Sequence, residues 1–332
     1  MGRAIDAPEG ATWQNRGMTR TPHIPLIGAL LLSLSGCVHS SPPALYNDLW
    51  DYDAPADTEA RFQKLLPDAP REGVDTDLQL RTQIARAQGL QGRFEEAYST
   101  LRTVAQRLSP APSTAHVRWF LEHGRVTNSR GDGAAARPDF EAAWQLAQAL
   151  ALDGLAVDAA HMIAIAAPQE APLWNQRALD LAEGSKDPDA QRWLGSLHNN
   201  MGWALHEAGK HEDAQRHFEA ALAARLELGN ETSVFVARWA VARGLRALGR
   251  LEEALAAQEG LAADRDAADV PEDGYVSEEL GELLLALGRE QEATEHFARA
   301  ADLLGDDPWF AEHEAARLER LRDLGSREGA SD

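Results

Sequence analysis

A single cysteine in 332 residues excludes an intramolecular disulfide and a cysteine-built zinc site. Positive charge is also scarce: 32 Lys and Arg stand against 53 Asp and Glu, a formal net charge of -21. Such a chain is repelled by nucleic acid and by anionic headgroups, so no nucleic-acid partner is expected. No apolar run reaches the roughly 20 residues that a membrane-spanning helix needs. Neither a GxSxG elbow, a phosphate-cradling GxxxxGK loop nor a dinucleotide GxGxxG turn occurs. No catalytic residue, no enzymatic activity and no cofactor is therefore expected. What remains is 44% hydrophobic and 26% charged, with a mean hydropathy of -0.40, and suits a soluble folded body.

The 11 histidines are the remaining metal candidates. A zincin pair needs histidines four apart on one helix face. His206-Glu207 is followed by Lys210 at that place, His211-Glu212 by Gln215 and His313-Glu314 by Arg317. No metal site is expected, and these histidines, with His198 and His217, read as solvated helix positions. Acidic pairs such as Glu252-Glu253 and Glu278-Glu279 read as helix starts, where carboxylates favour the positive end of the dipole.

Cys37 follows a short apolar stretch, Leu26 to Ser35, preceded by Arg20 and His23. That length fits the core of a signal peptide and is too short to span a bilayer. Leu34-Ser35-Gly36-Cys37 resembles the lipobox of bacterial lipoproteins, and Pro42 and Pro43 argue against a buried cysteine in a core helix. The resemblance implies cleavage before Cys37, its lipidation, and a lipid anchor as the only membrane attachment. Val38, where Asp would signal inner-membrane retention, implies the outer membrane with the body facing the periplasm. Met18 is an alternative start for the signal peptide.

A repeat runs through the rest. Gly202, Gly209, Ala214, Phe218 and Ala221 have the tetratricopeptide spacing of a small residue at position 8, Gly at 15, Ala at 20, an aromatic at 24 and Ala at 27. The frame recurs as Ala85, Gly92, Ala97, Leu101; as Gly124, Gly131, Ala136, Phe140, Ala143; as Ala242, Gly249, Ala254, Gln258, Leu261; and as Gly281, Gly288, Ala293, Phe297, Ala300. A degraded copy holds Ala159, Ala171, Asn175 and Ala178. The position-20 alanines step by 39, 35, 43, 40 and 39 residues. The chain thus resembles a long-period tetratricopeptide repeat (TPR) lipoprotein. The expected fold is all-α, a TPR-like right-handed α-solenoid of about six helix pairs with N- and C-terminal capping helices. Small residues at 8 and 20 would let paired helices approach, the aromatic at 24 would fill the gap to the next pair, and Gly at 15 would end helix A in a left-handed cap.

The organisation predicted is a signal peptide over 1–36, the lipidated cysteine and tether over 37–56, a lead-in helix over 57–72 carrying Phe62, Leu65 and Leu66, and repeats over 73–305. A capping helix over 306–324 opens at Asp307-Pro308-Trp309 with a charged face, and 325–332 is a disordered tail.

In tetratricopeptide arrays helix A lines the concave surface, and the resemblance puts frame positions 2, 5, 9 and 12 on it. Position 9 holds Arg86, Arg125, Trp203 and Arg243; position 5 holds Asn199 and Trp239; position 12 holds Asn128, His206 and Arg246. An arginine and aromatic stripe in so acidic a chain fits a groove for an acidic or C-terminal-carboxylate peptide. The alternative is that these arginines pair with neighbouring Asp and Glu. The function expected is an envelope-anchored interaction scaffold with a protein or peptide partner. A cytoplasmic regulator, which would call for a DNA-binding or effector domain, and an envelope enzyme with an unrecognised site are the other readings.

Overall fold

The computed structural model describes residues 49–229 and 231–326, in two compact units that divide after Gln191. Cys37, the signal-peptide and tether stretch, and the last six residues lie outside the described residues. Among the described residues there is no strand, and no helix is long and apolar enough to cross a membrane.

In the N-terminal unit α1 (Pro55–Leu65) and α2 (Ala69–Glu72) precede three antiparallel pairs. These are α3 (Val74–Leu90) with α4 (Phe94–Ala105), α5 (Thr114–Ser129) with α6 (Gly133–Ala149), and α7 (Asp153–Ala166) with α8 (Ala171–Gly184), followed by the short α9 (Pro188–Gln191). The C-terminal unit stacks α10 (Leu194–Glu207) with α11 (His211–Leu228), α12 (Glu231–Ala247) with α13 (Leu251–Ala267), and α14 (Gly274–Ala286) with α15 (Glu290–Gly305). It closes with α16 (Pro308–His313) and α17 (Ala315–Gly325). The six repeats of the sequence are thus six helix pairs.

Five of the six A helices end on the position-15 glycine in the left-handed region, with φ of 74° at Gly92, 91° at Gly131, 72° at Gly209, 73° at Gly249 and 76° at Gly288. The following residue donates its amide to a carbonyl five back, as Lys210 does to Leu205 at 2.9 Å and Arg289 to Leu284 at 2.9 Å, which satisfies carbonyls the helix end would orphan. The degraded copy has Ala166 at that place, and the chain leaves α7 through Pro168 and a 3₁₀ turn instead.

The aromatic at position 24 packs differently from the expectation. Its first contact is the small residue at position 8 of its own pair. A Cβ built on Gly124 would stand 2.6 Å from Phe140 Cε1; on Gly202, 2.5 Å from Phe218 Cε1; on Gly281, 2.8 Å from Phe297 Cε1. Phe218 does also reach the next pair, 3.0 Å from a Cβ on Gly244. Where position 8 is alanine, at Ala85, Ala159 and Ala242, position 24 is Leu101, Asn175 or Gln258. The two positions share one volume, and no pair holds both an alanine and a phenylalanine.

Prolines at 67 and 70 divide the expected lead-in helix into α1 and α2, since a proline ring cannot sit inside a continuous helix. Phe62 is buried with Leu80 and Ile84, and Leu66 packs on that cluster, but Leu65 is exposed. Glu59 fixes α1 to α3: it is buried and accepts hydrogen bonds from Gln88 at 3.1 Å, Gln91 at 2.8 Å and Arg93 at 2.5 Å. At the other end Leu318, Leu321 and Leu324 bury against α15. The charged face expected there turns inward in part. Arg317 donates to Glu278 at 2.8 and 2.5 Å, and Arg320 to Glu282 at 2.5 Å.

Candidate functional site

The arginines of the A-helix face fall into two dissimilar clusters, one in each unit. In the N-terminal unit Arg125, 8% exposed, donates to Glu122 at 2.7 Å and is ion-paired with Asp158 of the next A helix. Arg86, 10% exposed, stands 3.8 Å from Glu122. Its guanidinium lies 5.0 Å from the Trp50 ring centre and 5.5 Å from that of Tyr52, two rings stacked 5.0 Å apart. Residues 50–52 precede α1 and so cover the A helix of the first repeat, where a preceding repeat would otherwise lie.

Burial dominates the chemistry of this cluster. It pushes Tyr52 up to about 12 and, with the charge of Arg125, lowers Arg86 to about 10. Burial opposes the charge of Arg125 too, but Asp158 and Glu122 outweigh it and hold the guanidinium above its ordinary range. Asp158 is likewise held below the usual carboxylate range: burial works against its charge, and Arg125 and Arg86 prevail. His161 sits beside them, buried, its pKa pushed down to about 4 by desolvation. Arg86 and Arg125, with Arg118 also in electrostatic reach, face Glu122, Asp158 and a neutral imidazole in a closed, buried cluster. Asn128, at the end of α5, joins α6 instead, its Oδ1 3.2 Å from where a Gly133 Cβ would lie.

In the C-terminal unit the stripe stays open. Trp203 and Trp239 are half-buried with centres 5.7 Å apart, and Arg243 lies 6.0 and 5.8 Å from them. Trp239 Nε1 donates to the Tyr275 carbonyl at 3.1 Å, and Arg317 stands 5.6 Å from the Tyr275 ring. Arg246 donates to Glu279 twice, at 2.6 and 3.0 Å, while Arg243 donates to it once at 3.2 Å. The arginines are 29% and 25% exposed and the carboxylate 2%. Glu278 is not a helix-start carboxylate but a buried partner of Arg317, and Glu279 is the buried partner of both Arg243 and Arg246.

His206 stands 5.4 Å from Trp203 and 5.1 Å from His211, half-buried rather than solvated. Burial, then Arg243, His211 and Arg246, hold its pKa below the ordinary value, so it is neutral at pH 7. His198 and His217 likewise meet, Nδ1 to Nδ1 at 3.0 Å. The expectation of solvated histidines fails in this repeat because all four lie near the contact of α10 with α11. Asn199 is buried within the stack and not presented on a face. Among the described residues no group of three or more His, Cys, Asp or Glu is placed to hold a metal ion.

The acidic partners Glu122 and Asp158 carry no signal of their own in the sequence, since each lies inside a helix with no motif around it, and Glu279 is read there only as a helix-start carboxylate. Their signal is distance along the chain: 33 residues separate Arg125 from Asp158 and Arg246 from Glu279, and 36 separate Arg243 from Glu279. A basic residue followed by an acid about one repeat later marks two A helices side by side.

No protein-family model and no curated protein matches the chain. Solved structures do. The apo form of RapI superposes with a TM-score of 0.64 at 11% identity, over 86% of this chain and 81% of that one. The apo form of the quorum sensor NprR from B. thuringiensis gives 0.50 at 15%, over 82% of each. A Rap protein complexed with competence and sporulation factor gives 0.50 at 13%, over 84% of each. At such identities the likeness concerns the fold. The chain is an all-α protein of the TPR-like helical-repeat class.

Proposed function

We propose that this protein is an interaction scaffold that holds a peptide or a segment of another protein on the A helices of its C-terminal unit. The observation that carries this reading is the open stripe of Trp203, Trp239, Arg243 and Arg246: half-buried aromatic and guanidinium groups of the kind that dominate recognition surfaces. Arg86 and Arg125, by contrast, serve the fold of the N-terminal unit. The solved structures of like fold include a quorum sensor and a Rap protein complexed with competence and sporulation factor, which agrees with a binding role. The scaffold works from a membrane in this proposal, anchored by lipid on Cys37 and facing the periplasm from the outer membrane. The lipobox-like Leu34 to Cys37 supports that part.

Photoreactive benzoylphenylalanine in place of Trp239 should cross-link discrete partners in intact cells, whereas the same group in place of Glu259 on α13 should not. Equal or absent cross-linking from position 239 would defeat the scaffold reading. Incorporation of a labelled fatty acid into wild type but not Cys37→Ala tests the anchor separately, and an unlabelled wild type would sink it.

A further inference from the structure

We infer that His198 and His217 form a two-histidine site for a divalent late first-row transition metal, Cu²⁺ ahead of Ni²⁺ and Zn²⁺, which clips α10 to α11. The site lies in the seam between the two helices of one pair and needs no ligand on the A-helix face.

The sequence concentrates imidazole in this seam. Four of the 11 histidines, His198, His206, His211 and His217, fall in the repeat made by α10 and α11, two on each helix. The chain reverses between the helices, so His198 meets His217 and His206 meets His211. Along the chain 19 residues separate His198 from His217, and no ligand-spacing motif marks the pair. Hydrogen bonding uses little of what this row offers. A neutral imidazole has one donor and one acceptor nitrogen, so of the two Nδ1 atoms at His198 and His217 one gives a proton and the other receives it. The Nδ1 atoms of His206 and His211 are buried with no hydrogen-bond partner among the described residues.

Geometry assigns the ion. The Nδ1 atoms of His198 and His217 stand 3.0 Å apart, with the ring planes at 47°. Metal–imidazole bonds of about 2.0–2.1 Å put two neighbouring nitrogens about 2.9 Å apart in a square plane and about 3.4 Å apart in a tetrahedron. The spacing lies beside the square-planar value, the geometry of Cu²⁺ and Ni²⁺, and Cu²⁺ binds tightest in the divalent series. Each ring must turn about its Cβ–Cγ bond to aim its lone pair at a shared ion, and that torsion is broad in histidine. The ring that held its proton on Nδ1 then carries it on Nε2, so no proton leaves. Among the described residues no third His, Cys, Asp or Glu completes the set, and both side chains are only half-buried, so water takes the remaining positions. His206 and His211 differ. Their rings meet edge to face, centres 5.1 Å apart and planes at 61°, and an ion would have to displace packing to reach the buried Nδ1 atoms. That pair is the comparison and not the site.

The test uses the full-length protein carrying Cys37→Ala, so that no thiol competes for the ion. Titrated with Cu²⁺ at pH 7.5, it should take up one tightest-bound ion whose electron paramagnetic resonance spectrum is split by two nitrogens. His198→Asn and His217→Asn, on different helices, should each weaken that binding by at least about tenfold and remove the two-nitrogen splitting, whereas His206→Asn should change neither. The ion joins two helices of the folded chain only. At a hundred times its dissociation constant Cu²⁺ should therefore raise the thermal midpoint by about 5 °C, and should raise that of neither His198→Asn nor His217→Asn. Circular dichroism confirms that the variants are folded, and the spectrum of the protein with all its histidines is a readout that needs no variant. A spectrum without two-nitrogen splitting, an affinity untouched by His198→Asn and His217→Asn, an equal loss in His206→Asn, or tighter binding of Zn²⁺ than of Cu²⁺ each overturns the site.

Discussion

Replacing Gly202 with alanine drives a methyl group into the Phe218 ring. The new Cβ would lie 2.5 Å from Cε1 and 2.6 Å from Cδ1, more than an ångström inside ordinary contact. The ring has little room to retreat: it is fully buried, with Trp203 4.9 Å away, centre to centre, and Gly244 in close approach on another side. Overpacking of this kind costs about 1–3 kcal/mol, against a gain of about 1 kcal/mol from alanine's better helix propensity. Gly260, in the middle of α13, provides the control, because a Cβ there meets only the end of the Arg238 side chain at 3.8 Å. Gly260→Ala should therefore stabilise by about 0.5–1 kcal/mol, so the same substitution has opposite signs at two sites of one unit. Phe218→Leu in the Gly202→Ala background recreates the Ala85–Leu101 combination of the first repeat and should recover stability, with a coupling of about 1–2 kcal/mol. Urea denaturation followed by circular dichroism measures the wild type, Gly202→Ala, Gly260→Ala, Phe218→Leu and the double variant. If Gly202→Ala stabilises as much as Gly260→Ala, or the double substitution is merely additive, positions 8 and 24 do not share one volume.

Gln258 is fully buried with neither its Nε2 nor its Oε1 hydrogen-bonded among the described residues, so Gln258→Leu should raise the unfolding midpoint, by about 1–3 kcal/mol of stability; a lower thermal midpoint would refute it. Arg125→Gln leaves Arg86 as the nearest cation to Glu122 and removes the direct ion pair of Asp158 in a buried cluster, and should destabilise by about 3–5 kcal/mol, far more than Arg243→Gln in its more exposed one; similar losses in urea would contradict the division between the clusters. The imidazole of His161 makes stability depend on pH. Above pH 6.5 it is neutral whether folded or unfolded; below that the unfolded chain takes up a proton that the folded one refuses until about pH 4, so stability falls across this window by a few kcal/mol. His161→Gln should flatten that slope, and urea midpoints at pH 7.5, 6 and 5 check it.

The parts of the fold legible in the sequence are those set within one helix pair. The glycines at 92, 131, 209, 249 and 288 announce left-handed helix ends because almost no other residue takes that backbone without strain, and each does so. The division of the lead-in helix is legible in Pro67 and Pro70, which outweigh the continuous amphipathic pattern around them. What the sequence hid was the state of the A-helix arginines. Arg86, Arg125, Arg243 and Arg246 look alike along the chain, and only the acids brought beside them from the next repeat make one cluster closed and the other open. The proximity of Trp203 and Trp239 is legible, since frame positions 9 and 5 of successive A helices lie side by side. The pairing of His198 with His217 is not, since it depends on how α11 lies across α10.

The fit between positions 8 and 24 has a meaning for how such a chain can change. Because the small residue and its filler belong to the same pair, a repeat copied or moved within the gene takes both halves of that fit with it and still packs inside. The ion pairs do not travel so well. Arg125 with Asp158, Arg137 with Glu170 and Arg246 with Glu279 each join one repeat to its neighbour, so a transplanted repeat arrives with a charge and no counter-charge. Packing makes these repeats interchangeable, while charge records the order in which they stand.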